Sequence, residues 1–215
     1  MDQDKIIQET IAFVKSTLHQ AEGGHDFFHV ERVYKNALKI AENEQVDTFI
    51  VAIGALLHDI ADSKFHNGDE TVGPKKAREF LASFSVPETN ILAVENIIKH
   101  ISFKGGNFEK TYTSLELQVI QDADRLDAIG AIGIARCFNY GGYKNRKIYD
   151  PAIPPNLTMT KEEYKKATAP SINHFYEKLL LLKDKMNTKT GRILAAERHE
   201  FMEQFLLQFY KEWDS

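Results

Sequence analysis

Nine consecutive residues, Phe49 to Leu57, carry no polar side chain, and the run ends on His58-Asp59. A helix that is apolar all round has no face to give to solvent, so it belongs at the centre of a core. Asp47 and Thr48 are good N-caps, and they place the start of such a helix at Phe49, with its end near Ile60. An imidazole and a carboxylate therefore stand together at the end of the most buried element in the chain. Burying either without a partner costs several kcal/mol or the loss of its charge. Another side chain or a metal ion would serve as that partner. His29 and the acidic stretch Asp122, Asp124 and Asp127 are the other residues that a metal would call on.

Around this helix the apolar spacing is helical from end to end. Ile6, Ile7, Thr10, Ile11, Val14 and Leu18 mark a first amphipathic helix, closed by Gly23-Gly24. Asp26 caps a second, whose stripe is Val30, Val33, Ala37, Ile40 and Ala41, with His29 in its first turn. A fourth helix is expected over Thr71–Phe84, with Pro74 tolerated in its first turn, and a fifth begins at Pro87. Thr113 and Glu116 form a capping-box pattern that would open one long helix reaching Phe138. Residues 139–160, with two glycines and three prolines, read as a long irregular loop. Ser171–Met186 and Thr190–Trp213 are expected as the last two helices. No strand alternation persists, so the fold class is all-α, in a single domain over residues 1–215.

One ion needs several donors converging from different elements. Two neutral imidazoles and two carboxylates would give a divalent ion an electrically neutral site, and mixed nitrogen and oxygen donors suit Mn, Fe, Ni, Zn or, less well, Mg. Adjacent helical residues point ~100° apart. His58 and Asp59 can thus share an ion only near a helix end, where the backbone adjusts. Asp122 and Asp124 lie ~200° apart on their helix. Each falls in an apolar stripe, and periodicity does not choose between them.

The order H…HD…D, set in HDFFHVERV (25–33), ALLHDIADSKF (55–65), QDADRLDAIGAIGIAR (121–136) and INHFYEKLLLLKDKMNTKTGR (172–192), resembles the HD-domain superfamily of metal-dependent phosphohydrolases. The likeness covers nearly the whole chain and is similar to the single-domain YpgQ/YedJ-like bacterial branch. The resemblance implies a helical bundle holding one divalent ion on His29, His58, Asp59 and Asp124, with manganese first among Mn, Ni, Fe, Zn, Mg and Co. It implies His58, Asp59 and Lys64 as the catalytic group, with Lys64 on a loop five residues after Asp59 as a cation for phosphate. It also implies a small phosphorylated substrate, a nucleoside triphosphate cut to monophosphate and pyrophosphate. Phosphomonoester hydrolysis, as in a 5′-nucleotidase, and non-catalytic nucleotide sensing are the alternatives.

Further cations offer themselves to phosphate. Arg32 and Arg125 flank two of the ligands, and either can bind phosphate or pair with a carboxylate. Lys144, Arg146 and Lys147 in the irregular loop are interleaved with Tyr140, Tyr143 and Tyr149, a pattern that suits a lid hinged at Gly141-Gly142. His66, His100 and His174 are candidates to approach the ion, and Asp127 to support it. His25 is a cap-region residue, and His19 and His199 read as surface groups.

Composition excludes several other classes. A net charge of −4 argues against a nucleic-acid surface. No apolar run approaches the ~20 residues of a membrane span, and Met1-Asp2-Gln3-Asp4-Lys5 lacks the basic start of a signal peptide. The single cysteine, Cys137, fits a reducing compartment, so a cytoplasmic protein is expected, compatible with a homodimer. No Walker loop, GxGxxG or serine-nucleophile motif is present, and nothing supports P-loop or covalent chemistry.

Overall fold

The structure, a computed structural model, describes residues 2–19, 26–61, 69–101, 112–160 and 168–214. Among them nine α-helices and one 3-10 helix occur and no strand. They fall into two compact units. The first holds α1 (Gln3–Thr17), α2 (Phe27–Ala41), α3 (Thr48–Leu57), α4 (Val72–Ser83), α5 (Glu88–His100) and α6 (Leu115–Asp127) as far as Asp124. The second runs from Arg125 and holds α7 (Gly130–Tyr143), α8 (Ser171–Glu177), the 3-10 helix Leu179–Lys185 and α9 (Lys189–Trp213).

In the first unit α3 is the hub. Asp47 caps it, its carboxylate accepting from the amides of Phe49 and Ile50 at 2.9 and 3.2 Å. Every residue from Val51 to Leu57 is buried, and α1, α2 and α5 pack around it. Gly54 lets this packing close up. A Cβ there would lie 2.8 Å from Ile120 Cδ1 and 3.2 Å from Ile97 Cδ1, so α5 and α6 both press on that turn. On the flank of the unit, Arg78 of α4 grips Glu95 of α5 through Nε and Nη2 (3.0 and 2.6 Å) and reaches Glu88 through Nη1 (2.8 Å).

Three sequence expectations are corrected. The helix expected over 113–138 is two helices. It breaks after Asp127, because Gly130 takes φ +73° and Gly133 packs against the Ala128 carbonyl. The opening cap is Ser114, whose Oγ accepts from Leu117 N at 3.1 Å, while Glu116 accepts from the amide of Asp47. The helix expected over Ser171–Met186 stops at Glu177 and tightens into 3-10 form. Four consecutive leucines, 179–182, cannot all face inward at 3.6 residues per turn, and Leu179 is buried while Leu181 is half exposed.

The loop near 139–160 is also shorter and more firmly held than a hinged lid. α7 continues to Tyr143, so Gly141-Gly142 lies within its last turn. A Cβ at Gly141 would fall 2.1 Å from Ser171 Oγ, which makes it a close-packing glycine. The carbonyls of Lys147 and Ile148 accept from the first two amides of α8 at 2.9 and 3.0 Å. Asn173 donates to the Ile153 carbonyl at 2.9 Å, and Asn156 N to Glu177 at 3.1 Å. Tyr149 is packed edge-on against Phe209, Tyr210 and Trp213 of α9.

Candidate metal centre

The site is assembled from the ends of helices. Asp26 caps α2, its Oδ1 accepting from the amide of His29 itself at 2.9 Å, so the first turn that presents this imidazole is fixed by the cap. The side chain of His29 is 2% exposed. His58 directly follows the last residue of α3, where the backbone tightens and Ile60 N reaches the Leu57 carbonyl at 3.2 Å. This local tightening lets His58 and Asp59 turn toward one point.

The protonation pattern of His58 follows from its partners. Its Nδ1 lies 2.7 Å from the Ala55 carbonyl, which only accepts, so Nδ1 carries the proton and the neutral ring has its lone pair on Nε2. That Nε2 is buried without a hydrogen-bond partner among the described residues. A buried acceptor left bare costs about 1–3 kcal/mol, and a metal ion is a partner of the right kind. The two rings meet edge to face, with centroids 5.4 Å apart.

The carboxylates complete the set. Asp59 Oδ2 lies 3.7 Å from Nε2 of both His29 and His58, and Asp124 Oδ1 lies 3.5 Å from His29 Nε2. Donor atoms of His29, His58 and Asp59 all fall within 4.8 Å of one another. Donors that share an ion at ~2.1 Å are at most ~4.2 Å apart, so closure by about half an ångström brings them together. The imidazoles are buried, whereas Asp59 and Asp124 are 19% and 41% exposed. The donor set thus has an apolar back and a carboxylate side open to solvent. Asp122, the other carboxylate that periodicity leaves open, is fully buried.

The remaining sequence candidates sit as follows. Arg32 is partly buried on α2, one turn past His29. Lys64, His66 and His25 lie outside the described residues. His100, at the end of α5, turns Nδ1 to the Asn96 carbonyl at 2.8 Å and packs on Tyr112. The other candidates belong to the second unit. Arg125 donates to the Lys185 carbonyl at 2.7 Å, and Asp127 is paired with Arg136 at 2.6 Å. Lys144 lies over the rings of Tyr140 and Tyr143, Arg146 over Tyr140, and Lys147 meets Asp150 at 2.7 Å. Burial, with Lys178 and Arg146 close by, pushes His174 down to about 3, so it stays neutral. His19 is exposed, but His199 is a correction: its side chain is 12% exposed and meets Glu203 one turn on.

Two features escaped sequence reasoning. The orphaned Nε2 of His58 depends on the Ala55 carbonyl three residues back, and a helix-end hydrogen bond has no letter pattern. The arginines that surround the end of α6, Arg136 and Arg198, come from α7 and α9 and leave no local signal.

Comparison with known proteins matches residues 26–129 to the HD domain family model. The uncharacterised YpgQ protein of Bacillus subtilis (strain 168) is 39% identical over 213 residues, covering 99% of this chain and 96% of that protein. Among solved structures, an HD-superfamily hydrolase from Bacillus thuringiensis shares 44% identity over 99% of both chains, with a TM-score of 0.80. Bacillus subtilis YpgQ in complex with ADP shares 36% identity over 99% of this chain and 97% of that one, with a TM-score of 0.77.

Proposed function

The chain belongs to the HD-domain family and is a metal-dependent hydrolase, and from that premise we propose that it hydrolyses nucleoside triphosphates to monophosphate and pyrophosphate. The observation that carries the metal site is the buried Nε2 of His58, without a hydrogen-bond partner among the described residues and close to the donor atoms of His29 and Asp59. We assign a divalent ion to His29, His58, Asp59 and Asp124, a donor set that suits Mn, Fe, Ni or Zn, with manganese first, as the family resemblance implies. When bound, such an ion polarises a phosphoryl oxygen and brings the pKa of water toward neutrality.

The protein's own groups have the following parts. The Ala55 carbonyl holds the His58 proton on Nδ1 and keeps Nε2 available. Asp26 fixes the first turn of α2 and with it His29. Asp59 and Asp124, on the open side, face the substrate and are placed to orient the attacking water. Water adds to the α-phosphorus in line with the departing pyrophosphate: one P–O bond forms, one breaks, and the proton passes to solvent. Lys64 and Arg32 are the cations we assign to the phosphates. A nucleotide is favoured because a relative covering nearly all of this chain binds ADP. The free thiol of Cys137, pushed up to about 12 by burial, fits a reducing cytoplasm.

Incubation of the Mn2+-loaded protein with a panel of nucleoside tri-, di- and monophosphates tests this reading. Monophosphate and pyrophosphate should appear in equal amounts from triphosphates. Orthophosphate from monophosphates, with triphosphates untouched, would move the assignment to a nucleotidase.

A further inference from the structure

We propose that Phe28 is the platform on which the base of a bound nucleotide stacks, and that this ring makes the site select nucleotides over bare phosphates; this rests on the nucleotide reading above. Phe28 and His29 are neighbours in the first turn of α2. Successive side chains stand ~100° apart round a helix. With Phe28 at 0°, Arg32 comes at about 40° and His29 at about 100°, while the stripe Val30, Val33, Ala37 and Ile40 falls between about 120° and 200°. Burial follows the same order: the stripe is 0% exposed, His29 2%, Arg32 intermediate and Phe28 64%.

One side of α2 thus presents a metal ligand, a guanidinium and a phenyl ring, in order of increasing exposure. The first two are groups that phosphates call on, and the ring is the one left for a base. Lys35 and Lys39, at about 340° and 20°, continue the outward line, so Phe28 is the apolar member of a row of cations. A lone exposed phenylalanine is ordinary on a protein surface. This one adjoins a metal ligand, on a turn that a cap holds fixed.

The structure holds Phe28 without covering it. Asp26 accepts from the His29 amide at 2.9 Å and so fixes the turn that carries both residues. Phe27 takes the other side of the helix, packed against the core of the first unit, with Lys15 Nζ 5.8 Å from its ring centroid. The Phe27 and Phe28 rings lie 6.2 Å apart and are inclined at 60°, so the anchored ring braces the open one. An exposed aromatic face gains by being covered, and a base is a flat partner for it. Stacking needs no match of donors and acceptors, so the platform accepts every base, which all have a π-face.

The test is equilibrium binding of two probes to the full-length, Mn2+-loaded protein, by calorimetry. One probe is α,β-methylene-ATP, which cannot be cut between its α and β phosphorus atoms, and the other is pyrophosphate, which has no base. Phe28→Ala should raise the Kd for the nucleotide analogue by about 5- to 150-fold, and leave that for pyrophosphate within about twofold. Phe28→Trp should keep the wild-type affinity. Its indole emission should be quenched by the analogue and not by pyrophosphate, beyond any change that Trp213, the wild type's single tryptophan, shows. Leu92→Ala, at an apolar residue of α5 that is 45% exposed, is the matched control and should bind both probes as the wild type does. If Phe28→Ala does not fold, Phe28→Leu, apolar but without a ring, carries the comparison. Wild-type affinity for the analogue in a folded Phe28→Ala or Phe28→Leu overturns the proposal. So does an equal loss for both probes, or an equal loss in Leu92→Ala, since either would be a general effect on the site. A wild type that binds pyrophosphate but not the analogue brings down the nucleotide reading, and the platform with it. Analogue binding by the wild type with no loss in the Phe28 variants removes only the platform.

Discussion

His58 has one nitrogen committed to the Ala55 carbonyl and the other buried with no hydrogen-bond partner among the described residues, and this asymmetry is the most informative residue-level fact in the molecule. A ligand that binds only the folded state adds RT ln(1 + [L]/Kd) to stability, about 2.7 kcal/mol at a hundredfold excess over Kd. We therefore expect EDTA to lower the Tm of the wild type measurably, and expect His58→Ala to show no difference between metal-loaded and metal-free forms. The same metal-dependent gain in His58→Ala would contradict a role for Nε2. That His58 and Asp59 need a partner was legible in the sequence, because they end an apolar run; the rest of the donor set came from the family resemblance, periodicity leaving Asp122 and Asp124 level. The tautomer was not, since it is set by a backbone carbonyl.

Among the elements, most helices could be read directly. Asp26 and Asp47 each precede an apolar-periodic segment, and each caps the helix that follows. The break between α6 and α7 was hidden because the apolar stripe through Leu117, Ile120, Ala128 and Ala131 runs across it. The positive φ of Gly130 and the closeness of Gly133 to the Ala128 carbonyl reveal it. Gly133→Ala should accordingly cost about 1–3 kcal/mol, an overpacking that backbone cannot relieve, read as a fall in Tm. An unchanged Tm would mean that the turn is looser than described. The α4–α5 pair gives a pH prediction. The Arg78 hydrogen bonds hold the Glu95 pKa below its ordinary 4.5. A depressed carboxylate contributes stability above its unfolded pKa and loses it as pH falls through the folded value. The Tm difference between wild type and Glu95→Gln should therefore be full at neutral pH and shrink as pH falls below the ordinary value of 4.5. A difference constant down to pH 2 would show that the charge contributes nothing.

At the scale of the whole molecule, the all-helical class followed from periodicity alone, and the family from four ordered segments. The anchored loop after α7 did not, because its hydrogen bonds run to α8 and its Tyr149 packs on α9, contacts distant in sequence. No helix among the described residues is long and apolar enough to cross a membrane. We propose attack of water on the α-phosphorus of a nucleoside triphosphate at the His29, His58, Asp59 and Asp124 centre. It is tested most directly by running the Mn2+-dependent reaction in 18O-labelled water and weighing the products. The label should appear in the nucleoside monophosphate, with unlabelled pyrophosphate beside it, and all turnover should vanish in Asp59→Ala. Label in pyrophosphate or in orthophosphate, or turnover that survives Asp59→Ala, would contradict it.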